Sequence, residues 1–284
     1  MRRTAIFVAV LAMSVGSWAQ GNDKPAAAGQ SATAPAAPQG KRMPQAKTKP
    51  EYDDYNAARQ LPDGAAVEKA ADEFAAKYPD SELRVMLYKA AMQKYQQANN
   101  AEKMTEMARK ALSYDPDDPE ALLGVAQVIA EELHDTDLDK DQRIAEAKKD
   151  AERALVTIDT DIPSTGYPPE QLAAFKNYLR SEAYVVLGTL AFKANGWADA
   201  ETNLKKSIDV FPQQPDTVAV FRLAVALDMQ SKYPEAMKYA NQAVDLTKDR
   251  PDSGVGKAAR DERDRLTKLT GGTAPGQNAA APQK

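Results

Sequence analysis

The sequence predicts an all-α protein in which antiparallel helix hairpins stack into an α-solenoid. The main observation is a set of three mostly small residues, spaced four and then three positions apart, that recurs four times. Residues at these offsets share one helical face, and small side chains there let two helices approach closely. The four sets are Met104, Ala108 and Ala111; Ala147, Ala151 and Ala154; Ala200, Leu204 and Ser207; and Ala236, Ala240 and Ala243.

Two further observations support the same fold. Each set follows a segment with the apolar spacing of a partner helix, and the four segments are Tyr88, Ala91, Met92 and Tyr95; Leu122, Val125, Ala126 and Ile129; Tyr184, Leu187, Gly188 and Ala191; and Val220, Leu223, Ala224 and Leu227. Pro116 and Pro212 each follow a set, where proline ends a helix because it has no amide hydrogen. The predicted repeats cover about residues 85–118, 119–162, 181–214 and 217–250.

Residues 181–214, SEAYVVLGTLAFKANGWADAETNLKKSIDVFPQQ, resemble the tetratricopeptide repeat (TPR), whose pattern is W-x-x-L-G-x-x-Y, A-x-x-x-F and P. The matching positions are Tyr184, Leu187, Gly188, Ala200, Leu204, Ser207 and Pro212, and Ala191 stands where the pattern has tyrosine. The resemblance implies a right-handed TPR-like superhelix whose first helices line a concave groove. It also implies that the chain binds a protein or a peptide.

Before the repeats, residues 1–19 have the features of a secretory signal peptide. Arg2 and Arg3 precede an apolar run, and small residues precede a cleavage point after Ala19. This pattern predicts a periplasmic or secreted protein of the exported bacterial type. The run is too short to span a membrane, so no integral membrane segment is expected in the mature chain. The chain has no cysteine, which excludes disulfides, thiolate metal sites and a lipid anchor on cysteine.

Residues 20–50 contain mostly Ala, Pro, Gln, Gly and Lys, a composition that predicts a disordered linker because it buries little apolar surface. The TPR-like domain is predicted over residues 51–270. It begins with an N-terminal hairpin at 51–81, where Val67, Ala71 and Phe74 repeat the small-residue offsets. It ends with a capping helix at 254–270, which a solenoid needs to cover its last apolar face. Residues 271–284 are predicted to be a disordered tail.

An acidic insertion separates the two helices of the second repeat. Ala126 and Ala147 are 21 positions apart, and the insertion has acidic residues at positions one, three, five and twelve of an EF-hand-like loop: Asp135, Asp137, Asp139 and Glu146. Lys140 stands at position six, where a calcium loop has glycine. We therefore expect a solvated turn with helix-capping aspartates and no metal, although a cation site stays an alternative.

The first helix of the third repeat is predicted to be unusually long. Pro168 and Pro169 suit a helix start, and no helix-breaking residue follows as far as Ala194. Such a helix measures roughly 39 Å. Its added turns have an apolar stripe at Phe175, Tyr178 and Leu179, which either packs on the preceding repeat or faces a partner.

Catalytic chemistry has few candidate residues in this chain. His134 is the one histidine, and neither a glycine-rich phosphate loop nor a nucleophile elbow occurs. The net charge is −4, with basic and acidic residues interleaved, which does not indicate a nucleic-acid interface. The sequence therefore predicts a non-enzymatic protein without a cofactor, and leaves the oligomeric state open.

The resemblance places candidate protein-binding residues on the first helices, between the core positions. These residues are Lys89, Gln93, Gln127, Val185, Thr189, Phe192, Phe221 and Val225. The apolar ones, Val185, Phe192, Phe221 and Val225, either line an open groove or are covered by the superhelix or by the chain itself. The best-known peptide-binding mode of the family uses lysines and asparagines to grip a terminal carboxylate; here Lys89 is the one residue that fits it. A scaffold of the cell envelope is preferred. The alternatives are a chaperone-like or envelope-assembly factor with many clients, and a cell-wall or carbohydrate-binding module.

Overall fold

The computed structural model describes residues 41–271, which form eleven α-helices and no β-strand. The predicted signal peptide, the linker up to residue 40 and the tail from residue 272 lie outside the described residues. The helices are α1 Lys49–Arg59, α2 Gly64–Lys77, α3 Leu83–Gln97, α4 Ala101–Tyr114, α5 Pro119–Glu132, α6 Lys140–Thr160, α7 Pro169–Lys193, α8 Trp197–Val210, α9 Thr217–Asp228, α10 Tyr233–Leu246 and α11 Gly254–Leu269. None of these helices is long and apolar enough to cross a membrane.

The helices form five successive hairpins followed by one terminal helix. Each odd-numbered helix packs against the next even-numbered helix, and each even-numbered helix packs against the first helix of the following hairpin. Successive first helices also contact each other, as α5 does with α7 and α9 with α11. This arrangement confirms the predicted all-α solenoid. We call the layer made by α1, α3, α5, α7, α9 and α11 the first-helix layer. The right-handed sense of the superhelix stays a prediction.

The small residues that predicted the hairpins lie where the helices pack. Ala108, Ala151, Ala200 and Ala240 are all fully buried. At Gly188 an added Cβ would lie 2.7 Å from Cγ of Leu204, so α7 and α8 approach too closely for any larger side chain. Close helix packing is therefore the physical cause of the recurring pattern.

The long helix predicted in the third repeat is α7, which has 25 residues. Its added turns pack on the preceding repeat. Leu179 is buried in a cluster with Leu122, Ile158 and other apolar residues of α5 and α6, and Phe175 packs against the same cluster. Of the two predicted alternatives, the structure therefore shows packing on the preceding repeat.

The acidic insertion is a loop at residues 133–139, and two of its carboxylates are paired with cations of the chain. Lys140 Nζ lies 2.6 Å from Asp135 Oδ1, and Arg143 Nη1 lies 2.8 Å from Asp137 Oδ2. Within residues 41–271 no group of three acidic or histidine side chains is arranged to hold a metal ion. The expectation of helix-capping aspartates is wrong at α6, because Asp139 makes no side-chain bond to the helix start.

The predicted linker boundary at residue 50 is too late. Residues 41–48 contact the helices, beginning with the amide of Lys41, which donates to the carbonyl of Thr160 at 2.8 Å. α1 then begins at Lys49, with the Thr48 side chain accepting from the Glu51 amide as a helix cap. Composition alone predicted disorder because these residues include only small, polar and basic types and one Met.

Glu201 joins the third and fourth repeats. Its carboxylate accepts from Lys205 Nζ at 2.8 Å, from Gln230 Nε2 at 2.8 Å and from Lys232 Nζ at 2.7 Å. Burial acts to raise the pKa of Glu201, but the hydrogen bonds from these three side chains outweigh it and lower the pKa from 4.5 to about 2.

This lowered pKa predicts acid-dependent stability. A carboxyl group whose pKa is lower in the folded state stabilises the protein above its unfolded-state pKa, and this contribution is lost as the pH falls toward the folded-state value. We expect the free energy of unfolding of the wild type to exceed that of Glu201→Gln at pH 7, and the difference to shrink between pH 4.5 and 2. Urea denaturation of both proteins at several pH values measures this.

The matched control is Glu152→Gln, which removes an exposed carboxylate 3.9 Å from Lys148. Such exposed pairs contribute little, so this variant should follow the wild-type pH curve closely. A Glu201→Gln curve that runs parallel to the wild type down to pH 2 would contradict the assignment.

Candidate binding surface

The predicted binding residues differ in how accessible they are on the first-helix layer. Gln93, Gln127, Phe192, Phe221 and Val225 are half-buried and keep part of their surface in solvent. The other three, Lys89, Val185 and Thr189, are buried. For Lys89 and Thr189 the prediction of an accessible binding residue is wrong, and for Val185 the structure shows the covered alternative.

Lys89 is buried because it forms an ion pair within the solenoid. Its Nζ on α3 lies 2.8 Å from Asp118 Oδ2 and 2.5 Å from Glu120 Oε1, at the start of α5. Burial acts to lower the pKa of Lys89, but the two carboxylates outweigh it and hold the pKa above the ordinary value. Lys89 is therefore charged, fully paired and unavailable to grip a terminal carboxylate.

Tyr167, in the loop before α7, lies near this part of the layer. Its ring is half-buried, and burial raises the pKa of its hydroxyl. The hydroxyl lies close enough to Glu120, Lys89 and Tyr55 to interact with them electrostatically. The loop before α7 therefore adds to the electrostatic environment of Lys89.

Val185 and Thr189 are buried at the contact between α7 and its neighbours. Val185 belongs to the apolar core of the last repeats. The Thr189 hydroxyl accepts a hydrogen bond from Arg222 Nη1 at 2.8 Å. Both residues therefore stabilise the packing of first helices. Residue offsets along a single helix could not predict these contacts with neighbouring helices.

Arg222 lies in a charged cluster that joins three first helices. From α9 its guanidinium donates to both carboxylate oxygens of Glu131 on α5, at 3.0 and 3.1 Å. Lys193 on α7 donates to the carbonyls of Glu131 and Leu133 at 2.6 and 2.9 Å, at the end of α5. Burial lowers the pKa of Lys193, and the neighbouring Arg222 adds to the effect. Arg222 could not be predicted as a site residue from the sequence, because its partner Glu131 on α5 lies 91 positions away.

An apolar stripe on α9 keeps part of its surface accessible. Val218, Phe221 and Val225 are half-buried, and Met229 at the end of the helix is 54% exposed. Spacings of three and four residues place all four on one face of the helix. The sequence analysis named Phe221 and Val225 and missed the other two, although continuing the same spacing in both directions finds them. We call these four residues the α9 stripe.

The surroundings of the α9 stripe are partly aromatic and partly charged. On α7, Phe192 is half-buried and packs edge-to-face on Trp197 with ring centroids 5.3 Å apart. On the side of α11, Arg265 pairs with Asp228. Elsewhere on the first-helix layer, Gln127 on α5 donates to Glu182 Oε2 at 3.0 Å. An apolar surface with a polar margin is the usual composition of a protein-binding patch.

Comparisons with known proteins add little to this picture. No family model matches the chain, and no curated protein matches it. The chain is similar to a solved structure from a functional characterization of Pseudomonas aeruginosa pilF, at 18% sequence identity and a TM-score of 0.46 over 79% of this chain and 96% of that one. A likeness of this degree carries no argument about function. The hairpin packing described above shows the fold. It is an all-α solenoid of antiparallel helix hairpins.

Proposed function

We propose that this chain is a non-enzymatic scaffold of the cell envelope that binds a protein or a peptide through the first-helix layer, with the α9 stripe as the main contact. The observation that supports the proposal is the stripe itself, because four apolar side chains on one helix face keep surface in solvent. Contiguous apolar surface of this kind is typical of binding sites, whereas single exposed apolar residues are common everywhere.

The dimensions of the stripe favour a polypeptide as the ligand. From Val218 to Met229 the helix rises roughly 16 Å, about the length of three helical turns. An amphipathic helix or an extended segment with apolar side chains could cover that length. The scaffold role also agrees with the general use of TPR-like solenoids as non-catalytic interaction surfaces.

The envelope location is supported by the signal-peptide pattern of residues 1–19. If the protein is exported, cell fractionation should recover it from the periplasm or the medium. Its intact mass should correspond to a chain that begins at Gln20. Recovery from the cytoplasm with the first 19 residues attached would contradict this part of the proposal.

Site-specific photocrosslinking in the native host tests the binding surface. A photoreactive residue placed at Val225 should crosslink one dominant protein. The matched control is Val156, which is 60% exposed but lies on α6, a second helix away from the layer. A probe at that position should not give the same product.

Other crosslinking results would overturn the proposal. Equal crosslinking from both positions would show that the contact is not specific to the layer. Many products of unrelated sequence at Val225 would favour a chaperone-like factor. A product that contains only glycan would favour a cell-wall module.

A further inference from the structure

Residues 41–48 cross the edge of the solenoid, and we call them the strap. The Lys41 amide donates to the Thr160 carbonyl at 2.8 Å. Its ammonium lies 2.5 Å from Asp115 Oδ2 and 3.5 Å from Asp161 Oδ1. Asp115 directly follows α4, Thr160 is the last residue of α6 and Asp161 follows it. A single lysine therefore connects the C-terminal ends of two second helices.

Arg42 makes the second anchor of the strap. Both terminal nitrogens of its guanidinium bond to the Glu82 carboxylate, one of them at 2.8 Å. This two-point geometry is one that arginine can form and lysine cannot. The hydrogen bond from Arg42 also lowers the pKa of Glu82. The site therefore distinguishes its two basic residues by position, with lysine between Asp115 and Asp161 and arginine on Glu82.

The strap is also held by its main chain and its apolar side chains. The Gln45 amide donates to Glu82 Oε2 at 3.4 Å, and the Lys47 amide donates to Glu51 Oε2 at 2.7 Å. Ala46 packs against the core of the N-terminal repeats. Pro44 favours an extended conformation at the residue before it. The amides of Lys41, Gln45 and Lys47 therefore all donate to acceptors on or beside the helices, and main-chain bonds of this kind also hold peptide ligands.

The anchors are exposed enough to be released. The side chains of Lys41 and Arg42 keep 42% and 65% of their surface in solvent. Exposed ion pairs contribute little individually, because water and salt screen them. The helices beneath are built by their own apolar packing, so the strap can detach while the solenoid stays folded.

We propose that Glu82, Asp115 and Asp161 form a second peptide-binding site, which recognises an extended Lys-Arg dipeptide, and that residues 41–48 are its intramolecular occupant. The ligand in trans is a protein segment with the same chemistry, extended and basic, which displaces the strap. This site lies at the starts of first helices and the ends of second helices. It is distinct from the α9 stripe and does not depend on the proposed function.

Competition in trans tests the site. The probe is a synthetic peptide of residues 40–48, GKRMPQAKT, titrated into the isotope-labelled protein while backbone NMR shifts of Glu82, Asp115 and Asp161 are followed. A tethered segment acts at an effective concentration in the millimolar range, so the wild type should respond only at several millimolar peptide. The variant Lys41→Glu/Arg42→Glu, which releases the strap, should respond at concentrations about tenfold lower.

Two controls separate recognition from simple charge attraction. A peptide with lysine and arginine exchanged, GRKMPQAKT, has the same charge and should bind several-fold more weakly. Adding Glu82→Gln to the released variant should abolish the shifts. Equal binding of both peptides, or no shifts in the released variant at about 5 mM peptide, would overturn the proposal.

A second measurement tests the same site in the wild type, in case the released variant folds poorly. In the wild type, millimolar peptide should accelerate hydrogen exchange at the Lys47 amide, because displacement breaks its bond to Glu51. Unchanged exchange would overturn the proposal without any variant. Concentration-dependent dimerisation that protects this amide would also overturn it, since the occupant would then come from a second copy.

Discussion

Replacing Lys89 by methionine should lower the free energy of unfolding by about 3–5 kcal/mol, the usual loss when one partner of a buried ion pair is removed. Methionine keeps the length and volume of the side chain, so the effect comes from the charge. Asp118 and Glu120 would remain largely buried without the ammonium that lies 2.8 and 2.5 Å from them. Urea denaturation at pH 7 measures the loss.

The matched control is Lys49→Met, which removes a lysine from an exposed pair with Asp53. We expect a change of less than about 1 kcal/mol there. Adding Asp118→Asn and Glu120→Gln to Lys89→Met should restore part of the stability, because the uncompensated charges are gone. A loss below about 1 kcal/mol for Lys89→Met would contradict a buried ion pair at Lys89.

Replacing Gly188 by leucine should destabilise the protein by about 1–3 kcal/mol through overpacking. The first added atom, Cβ, would lie 2.7 Å from both Cγ and Cδ2 of Leu204 and 3.2 Å from its backbone nitrogen. A leucine must therefore push α7 away from α8 or force Leu204 out of its rotamer. Thermal and urea unfolding measure the effect.

Gly254→Ala is the control for Gly188→Leu. Gly254 begins α11, and an added Cβ there meets no atom within 4 Å. We expect this variant to keep wild-type stability or to gain a few tenths of a kcal/mol, since alanine restricts the unfolded chain. A wild-type melting curve for Gly188→Leu would contradict the packing of α7 on α8.

The hairpins could be predicted from the sequence because close packing of two helices needs small residues at fixed offsets. Ala200 and Gly188 can therefore be recognised as helix-packing positions from the local sequence alone. Counting residue offsets along a helix predicts which face of the helix a residue lies on, but it does not predict how deeply its side chain is buried. Burial depends on neighbouring helices, so Thr189 was predicted to be an accessible binding residue but is buried, and the sequence could not decide between the open and covered alternatives for Val185.

The missed features depend on contacts between residues far apart in the chain. Arg222 and Glu131 are 91 positions apart, and Lys41 lies 74 and 120 positions from its two carboxylate partners. No local pattern encodes such pairs. The strap was predicted to be part of a disordered linker for the same reason, since its composition gives no sign of the acidic edge that holds it.

The binding role of the α9 stripe is tested most directly by the affinity of the crosslinked partner, once purified, for three proteins: the wild type, Phe221→Asp and Val156→Asp. Isothermal titration calorimetry should show at least about tenfold weaker binding for Phe221→Asp, a loss of about 1.4 kcal/mol. Val156→Asp, on α6, should bind like the wild type. Unchanged affinity for Phe221→Asp, or an equal loss for Val156→Asp, would contradict binding through the first-helix layer.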